Sequence, residues 1–188
     1  MNELLYNDIK IGNNYVRTQT KVDNLSKKIK EKCLKIKLVL SDVDGVITDG
    51  GMYYTESGEE FKKFNTRDGM GVELLQKNKI DTIFITKENS KISRARAKKL
   101  NSQIYFGIEN KEKKLKEICK KLNVDPLNIA YIGDDVNDVS IMKLVGFSAS
   151  PNDGVYEVKK IVNYICENKG GNGAFREFAD LIIRNKYN

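Results

Sequence analysis

Two short apolar runs in this chain end in the same way. "IKLVLSDVDG" carries Leu38, Val39 and Leu40 straight into Asp42 and Asp44, and "NIAYIGDD" carries Ile129 to Ile132 into Asp134 and Asp135. Runs this short and this apolar read as strands buried on both faces of a parallel sheet. "IDTIFIT" is a third such strand, and "QIYFG", "FSAS" and "IVNYI" are shorter ones. Helical patterns stand between them. In "NKEKKLKEICKKL" the residues Leu115, Ile118, Cys119 and Leu122 recur at i, i+3, i+4 and i+7 and form one apolar face. "DGMGVELLQKN", "SKISRARAKKL", "VSIMKLVG" and the closing "GAFREFADLIIRN" also read as helices. Strands alternating with helices at this spacing predict an α/β fold, a central parallel sheet with helices on both faces. "GGMYYTESGEEFKKFN" breaks the alternation and reads as a β-hairpin turning at Ser57 and Gly58.

In sheets of this kind ligands bind beyond the carboxyl ends of the strands. Here those ends carry Asp42 and Asp44, then Thr86, then Asp134 and Asp135, with Lys111 opening a helix between them. Carboxylates brought together repel unless a cation or a shared proton offsets the charge. Oxygen ligands with few other donors favour a hard divalent cation, and magnesium is the expected one.

Composition removes several chemistries. There is no histidine among the 188 residues, which excludes His-based zinc sites, Ser-His-Asp triads and histidine phosphocarriers. Cys33, Cys119 and Cys166 are odd in number and lack metal-site spacing. A hydrophobic fraction of 40% with 31% charged residues suits one soluble globular domain. No apolar run approaches the ~20 residues of a membrane helix. The polar start lacks the apolar stretch of a signal peptide, so the cytoplasm is the expected location. The net charge of +7 is spread over helix faces with acidic residues interleaved. That pattern argues for solvated faces and a small anionic substrate rather than nucleic acid. Residues 1–32 are expected to be an N-terminal extension, either a tail or a short helix "NLSKKIKEKCL", and 33–188 the α/β domain that carries these strand ends.

The order Asp-x-Asp-Gly-Val, Ile-Thr, Lys, Gly-Asp-Asp-x-x-Asp resembles the haloacid dehalogenase (HAD) superfamily of phosphohydrolases. A response-regulator receiver places its aspartates, threonine and lysine in another order. The resemblance implies a HAD-like Rossmannoid three-layer sandwich. It makes Asp42 the nucleophile that becomes an aspartyl phosphate, and Asp44 the general acid and base. Magnesium would be held by Asp42, the backbone carbonyl of Asp44, and Asp134. Thr86 and Lys111 would bind phosphoryl oxygens, Gly45 would offer its amide, and Asp135 and Asp138 would orient metal waters and Lys111.

Between Asp49 and Phe64, and between Thr86 and Lys111, there is no room for a cap domain. The stretches "DVDGVITDGGMYY", "GEEFKKFNTRDGMG", "AYIGDDVND" and "GGNGAFREF" resemble the capless 3-deoxy-D-manno-octulosonate (KDO) 8-phosphate phosphatases and their nine-carbon relatives. That group implies a homotetramer assembled through the hairpin. A glycine-rich segment, here Gly170, Gly171 and Gly173 followed by Arg176, would reach a neighbour's active site. After Thr86 this chain reads Lys87-Glu88, where KDO 8-phosphate phosphatases usually carry Gly-Arg. Glu88 with Arg96 and Lys99 is similar to phosphatases of nine-carbon keto-deoxy sugar acids such as KDN 9-phosphate or N-acylneuraminate 9-phosphate. Lys87 in place of glycine departs from the pattern. Arg67 is a further candidate for substrate contact. The expected activity is magnesium-dependent hydrolysis of a 2-keto-3-deoxy sugar-acid phosphate in surface-glycan or lipopolysaccharide synthesis. The alternatives are a broad-specificity sugar phosphatase, or a non-catalytic assembly partner similar to the C-terminal domain of some sialic acid cytidylyltransferases.

Overall fold

A computed structural model of the protein describes residues 27–187. Residues 1–26 of the expected N-terminal extension lie outside the described residues. Helix α1 (27–35) runs across the position where that extension was expected to end. Its Cys33 is fully buried and Ile29 packs against the core.

The strands β1 (Leu38–Ser41), β4 (Asp81–Ile85), β5 (Gln103–Tyr105), β6 (Ile129–Ile132), β7 (Phe147–Ser150) and β8 (Tyr164–Ile165) form one parallel sheet in the order β5-β4-β1-β6-β7-β8. The chain therefore leaves β1 toward one edge, then returns to pair β6 on its other side. A crevice at the carboxyl end of β1 follows from that reversal. Register delivers the site, because Ser41 lies level with both Phe84 and Ile132. Asp42, Thr86 and Asp134 thus leave three adjacent strands at one edge.

Alternation in β1 sends Val39 to one side of the sheet and Leu38 and Leu40 to the other. The first side is covered by α1, α2 (Thr66–Lys77), α3 (Lys91–Lys99) and α7 (Ala174–Tyr187), through residues such as Val72, Leu75, Phe175 and Phe178. The second is covered by α4 (Lys111–Leu122), α5 (Val139–Met142) and α6 (Tyr156–Lys159), through Leu115, Ile118, Ile141 and Val158. Burying an aromatic or branched side chain of this size stabilises by about 1.5–3 kcal/mol, so both layers contribute to the fold. Polar caps start the helices: the Asn65 side chain accepts the Arg67 amide at 2.8 Å, and Asn110 accepts the Lys113 amide at 2.8 Å.

The hairpin is β2 (Tyr53–Thr55) and β3 (Gly58–Phe61), a two-stranded antiparallel sheet separate from the central one. A bridge between Thr48 and Phe64 closes its base. Tyr53, Tyr54 and Phe61 are each more than half exposed. The only elements between β4 and α4 are α3 and β5, so the chain has no cap domain there.

Candidate functional site

Four buried side chains interlock where β1 and β6 end. Lys111, at the first position of α4, is 1% exposed. Its ammonium lies 3.0 Å from Asp42 Oδ1, 2.6 Å from Asp138 Oδ1 and 3.3 Å from the Tyr131 hydroxyl. Tyr131 donates to Asp138 Oδ1 as well. Asp138 Oδ2 accepts the backbone amides of Asp134 at 3.0 Å and Asp135 at 3.5 Å. Asp138 is thereby saturated, and it fixes Lys111 and the Asp134–Asp135 turn together. Asp42 Oδ1 also takes the Val43 amide at 2.7 Å.

Asp42, Asp134 and Asp138 each place a carboxylate oxygen within 4.8 Å of the others. One buried lysine does not balance three acids. Burial raises the Asp42 carboxyl to about 7, Asp138 adds to the rise and Lys111 opposes it. Burial raises Asp134 to about 8, with Asp42 and Asp138 adding to it. Burial acts to lower the Lys111 ammonium, but Asp42 and Asp138 more than offset that and hold it above its ordinary value. Burial and Asp138 push the Tyr131 hydroxyl well up, so it stays a donor.

The Oδ1 atom of Asp134 is buried and has no hydrogen-bond partner. An unpaired buried carboxylate oxygen beside a second carboxylate fits a divalent cation. Asp138, whose oxygens are already occupied, fits the outer role. Gly45 has φ +82°, and a Cβ there would stand 2.0 Å from Asp134 Oδ2. Only glycine lets the loop after β1 approach the acidic pair this closely. The Gly45 amide itself donates to Thr48 Oγ1 at 3.2 Å.

Above this cluster opens a cleft of about 250 Å³ lined by Asp42, Asp44, Gly45, Thr86, Asp134 and Asp135, with Gly50, Met52, Lys87, Glu88 and Asn137 at its rim. Glu88 and Lys87 thus face the cleft, and Lys87 lies 3.4 Å from Glu109. Asp135 accepts the Val136 amide and shares a capping box with Asp138. Its side chain thus shapes the turn as well as lining the cleft.

The remaining expected substrate residues do not line this cleft. The Arg96 guanidinium lies 3.2 Å from the Asn65 carbonyl and 5.6 Å from the Phe64 ring centre, bracing the start of α2. Lys99 is exposed at the end of α3. Arg67 is exposed beside the α2 cap. Arg176 pairs with Asp180 at 2.9 Å. The glycine-rich segment, expected as a flexible arm, packs on its own chain: the Gly171 amide donates to the Val46 carbonyl at 2.8 Å. Reading the sequence missed Tyr131, Met52, Asn137 and Lys62. Lys62 lies 2.5 Å from Asp44 Oδ1.

A sequence profile of the haloacid dehalogenase-like hydrolases matches residues 6–178. The 3-deoxy-D-manno-octulosonate 8-phosphate phosphatase of Haemophilus influenzae is 36% identical over 83% of this chain and 87% of its own length. A HAD subfamily III A hydrolase structure from Legionella pneumophila superposes with a TM-score of 0.87 at 32% identity, covering 89% of this chain and 92% of that one. The Moraxella catarrhalis KDO 8-phosphate phosphatase, solved with magnesium, phosphate and KDO, gives 0.82 at 36% identity, covering 85% and 92%. With an interlocked acidic site at the carboxyl edge of the sheet and these likenesses in sequence and fold, the chain belongs to the haloacid dehalogenase-like hydrolases, among the phosphoric monoester hydrolases.

Proposed function

We propose that this protein is a magnesium-dependent phosphatase of a 2-keto-3-deoxy sugar acid, with a nine-carbon 9-phosphate favoured over KDO 8-phosphate. The observation that carries the chemistry is the pairing of Asp42 with buried Lys111 beside the unpartnered Asp134 Oδ1. Two of the proteins named above, from Haemophilus influenzae and Moraxella catarrhalis, are KDO 8-phosphate phosphatases, which supports the substrate class. Glu88 at the rim of the cleft supports the nine-carbon preference, as an acceptor for sugar hydroxyls.

Asp42 Oδ1 is held by Lys111 and the Val43 amide, which supports Oδ2 as the oxygen that attacks phosphorus. The phosphorus–oxygen bond to the sugar breaks as Asp44 passes its proton to the leaving oxygen, giving free sugar acid and a phosphorylated Asp42. Water then attacks phosphorus and Asp44 takes its proton. Phosphate leaves, and the Asp42 carboxylate is restored. Lys111 and Thr86 hold the phosphoryl oxygens not transferred to the sugar or to water. A magnesium ion bound by Asp42, Asp134 and the Asp44 carbonyl would offset repulsion between carboxylate and phosphate. The product is a free sugar acid, the form that a cytidylyltransferase activates for glycan synthesis in the cytoplasm.

A two-stranded hairpin is only marginally stable alone, and this one exposes Tyr53, Tyr54 and Phe61. Burying those rings against further copies supports a homotetramer in which a neighbouring chain completes each cleft. Arg67, Arg96, Lys99 and Arg176 would then act across the interface.

The test is phosphate release with magnesium from KDN 9-phosphate, N-acetylneuraminate 9-phosphate and KDO 8-phosphate, with Asp42→Asn as blank. A nine-carbon preference of tenfold, about 1.4 kcal/mol, supports the role of Glu88. Preference for KDO 8-phosphate retains the chemistry and rejects that role. Equal rates on all three indicate a broad sugar phosphatase, and no release above the blank leaves the assembly role.

A further inference from the structure

Lys62 is a buried cation that the function proposed above does not use. It follows β3, and its side chain is wholly buried although Phe61 and Lys63 on either side are exposed. Lys62 is the first residue past β3, so the chain leaving the hairpin turns a lysine inward where an aliphatic residue would ordinarily sit. Burying an ammonium is costly unless it is paired, so this contact is unlike a solvated surface bridge. Asp44 is one such partner. The ammonium lies 2.5 Å from Asp44 Oδ1, and the Thr86 hydroxyl donates to Asp44 Oδ2 at 3.3 Å. Both carboxylate oxygens are therefore held, one from the hairpin and one from the end of β4. Asp44 sits outside every helix and strand, in the loop where the amides of Val46, Ile47 and Thr48 converge on the Val43 carbonyl. No regular element fixes its rotamer, so its aim depends on these two partners.

We propose that Lys62 is a positioning residue that aims Asp44 at the leaving oxygen and ties that aim to the hairpin. This rests on the assignment of Asp44 as proton donor and acceptor made above. The ammonium acts on Asp44 and not on the substrate, so its loss affects the proton-transfer step and leaves binding of the phosphate intact.

The experiment compares wild type, Lys62→Met, Lys62→Arg, Asp44→Asn and the double variant Lys62→Met/Asp44→Asn, all with magnesium. General acid–base catalysis is worth about 10²–10⁴-fold, so misplacing Asp44 should cost about ten- to a hundredfold in kcat on the best sugar-acid phosphate. KM should stay within about threefold, as expected for an interaction made only in the transition state. Lys62→Arg should recover part of the loss. The double variant should be no slower than Asp44→Asn alone, because residues acting through one group are not additive. The burst of nitrophenolate from 4-nitrophenyl phosphate, whose leaving group departs without a proton, should be nearly unchanged in Lys62→Met. A rise in KM at constant kcat would overturn the proposal and make Lys62 a substrate ligand. Additive losses in the double variant, or an equal loss of the nitrophenolate burst, would overturn it as well. If Lys62→Met does not fold, Lys62→Gln with the same double-variant comparison decides the matter. A wild type without phosphatase activity would sink the proposed function instead, an outcome the wild-type rate alone reports.

Discussion

Gly170 faces Gly45 so closely that a Cβ on Gly170 would stand 1.9 Å from the Gly45 carbonyl oxygen. Main chain meets main chain, and the Gly171 amide completes the joint at the Val46 carbonyl. The segment before α7 is therefore a wedge under the loop that carries Asp44. Neither partner can move a side chain aside, so Gly170→Ala must shift the loop. We expect it to destabilise the protein by about 1–3 kcal/mol and to lower kcat more than KM. Thermal unfolding and steady-state kinetics check this. Unchanged values in both would show that the wedge yields.

Asp68 anchors the same wedge from α2. It is 2% exposed and accepts the amides of Gly173 at 3.2 Å and Arg176 at 3.0 Å. Asp68→Ala leaves both amides short of a partner, at about 1–3 kcal/mol for each buried group left unsatisfied. For a chain of this size roughly 2 kcal/mol corresponds to a fall of about 4–8 °C in Tm. A shift below about 1 °C would mean that water replaces the carboxylate there.

Lys111→Met removes the cation between Asp42 and Asp138. Breaking one side of a buried ion pair costs about 3–5 kcal/mol, and on the proposed chemistry the phosphoryl group would lose its fixed positive charge. Phosphate release should fall to the level of Asp42→Asn, with Tm lowered. A variant that kept wild-type kcat would remove Lys111 from the reaction.

Metal and pH should act on stability in opposite senses. Burial raises folded Asp42 to about 7 and folded Asp134 to about 8, against an ordinary 3.8 for each. The folded state then binds protons more tightly than the unfolded chain. Stability from these two groups is full below about pH 4 and is lost as pH rises through 7 to 8. A cation needs both carboxylates ionised, so its stabilising effect grows over the same range. The metal-free Tm should fall from pH 5.5 to 8.5, and the increment from magnesium should be larger at pH 8.5. A metal-free Tm that rises over that interval would contradict the assignment.

The sheet and the position of the site were legible because short apolar runs can end in acids only where a crevice receives them. Leu38–Leu40 and Ile129–Ile132 are both fully enclosed strands, and their acids do converge. Lys62 was not legible. It sits beside Lys63 in "FKKF", and two adjacent lysines read as a solvated face until the chain leaving the hairpin turns one inward. Tyr131 was hidden in a strand where an aromatic ring suffices as core, although its hydroxyl completes the Lys111–Asp138 pair. Arg96 and Lys99 illustrate the reverse. Basic residues three apart on a helix announce a cationic face, but the sequence does not say whether that face meets a ligand or a carbonyl such as that of Asn65.

The wedge also orders events during synthesis of the chain. Strand β1, which ends just before Asp42, is among the first described elements to emerge from a ribosome, while Gly170 and α7 are the last of the described segments to do so. A nascent chain lacking them has Asp42 but not the prop beneath the loop that carries Asp44, so on the proposed chemistry competence waits until Gly170 and α7 have been made. Any C-terminal trimming that reaches the wedge would return a finished protein to that immature state.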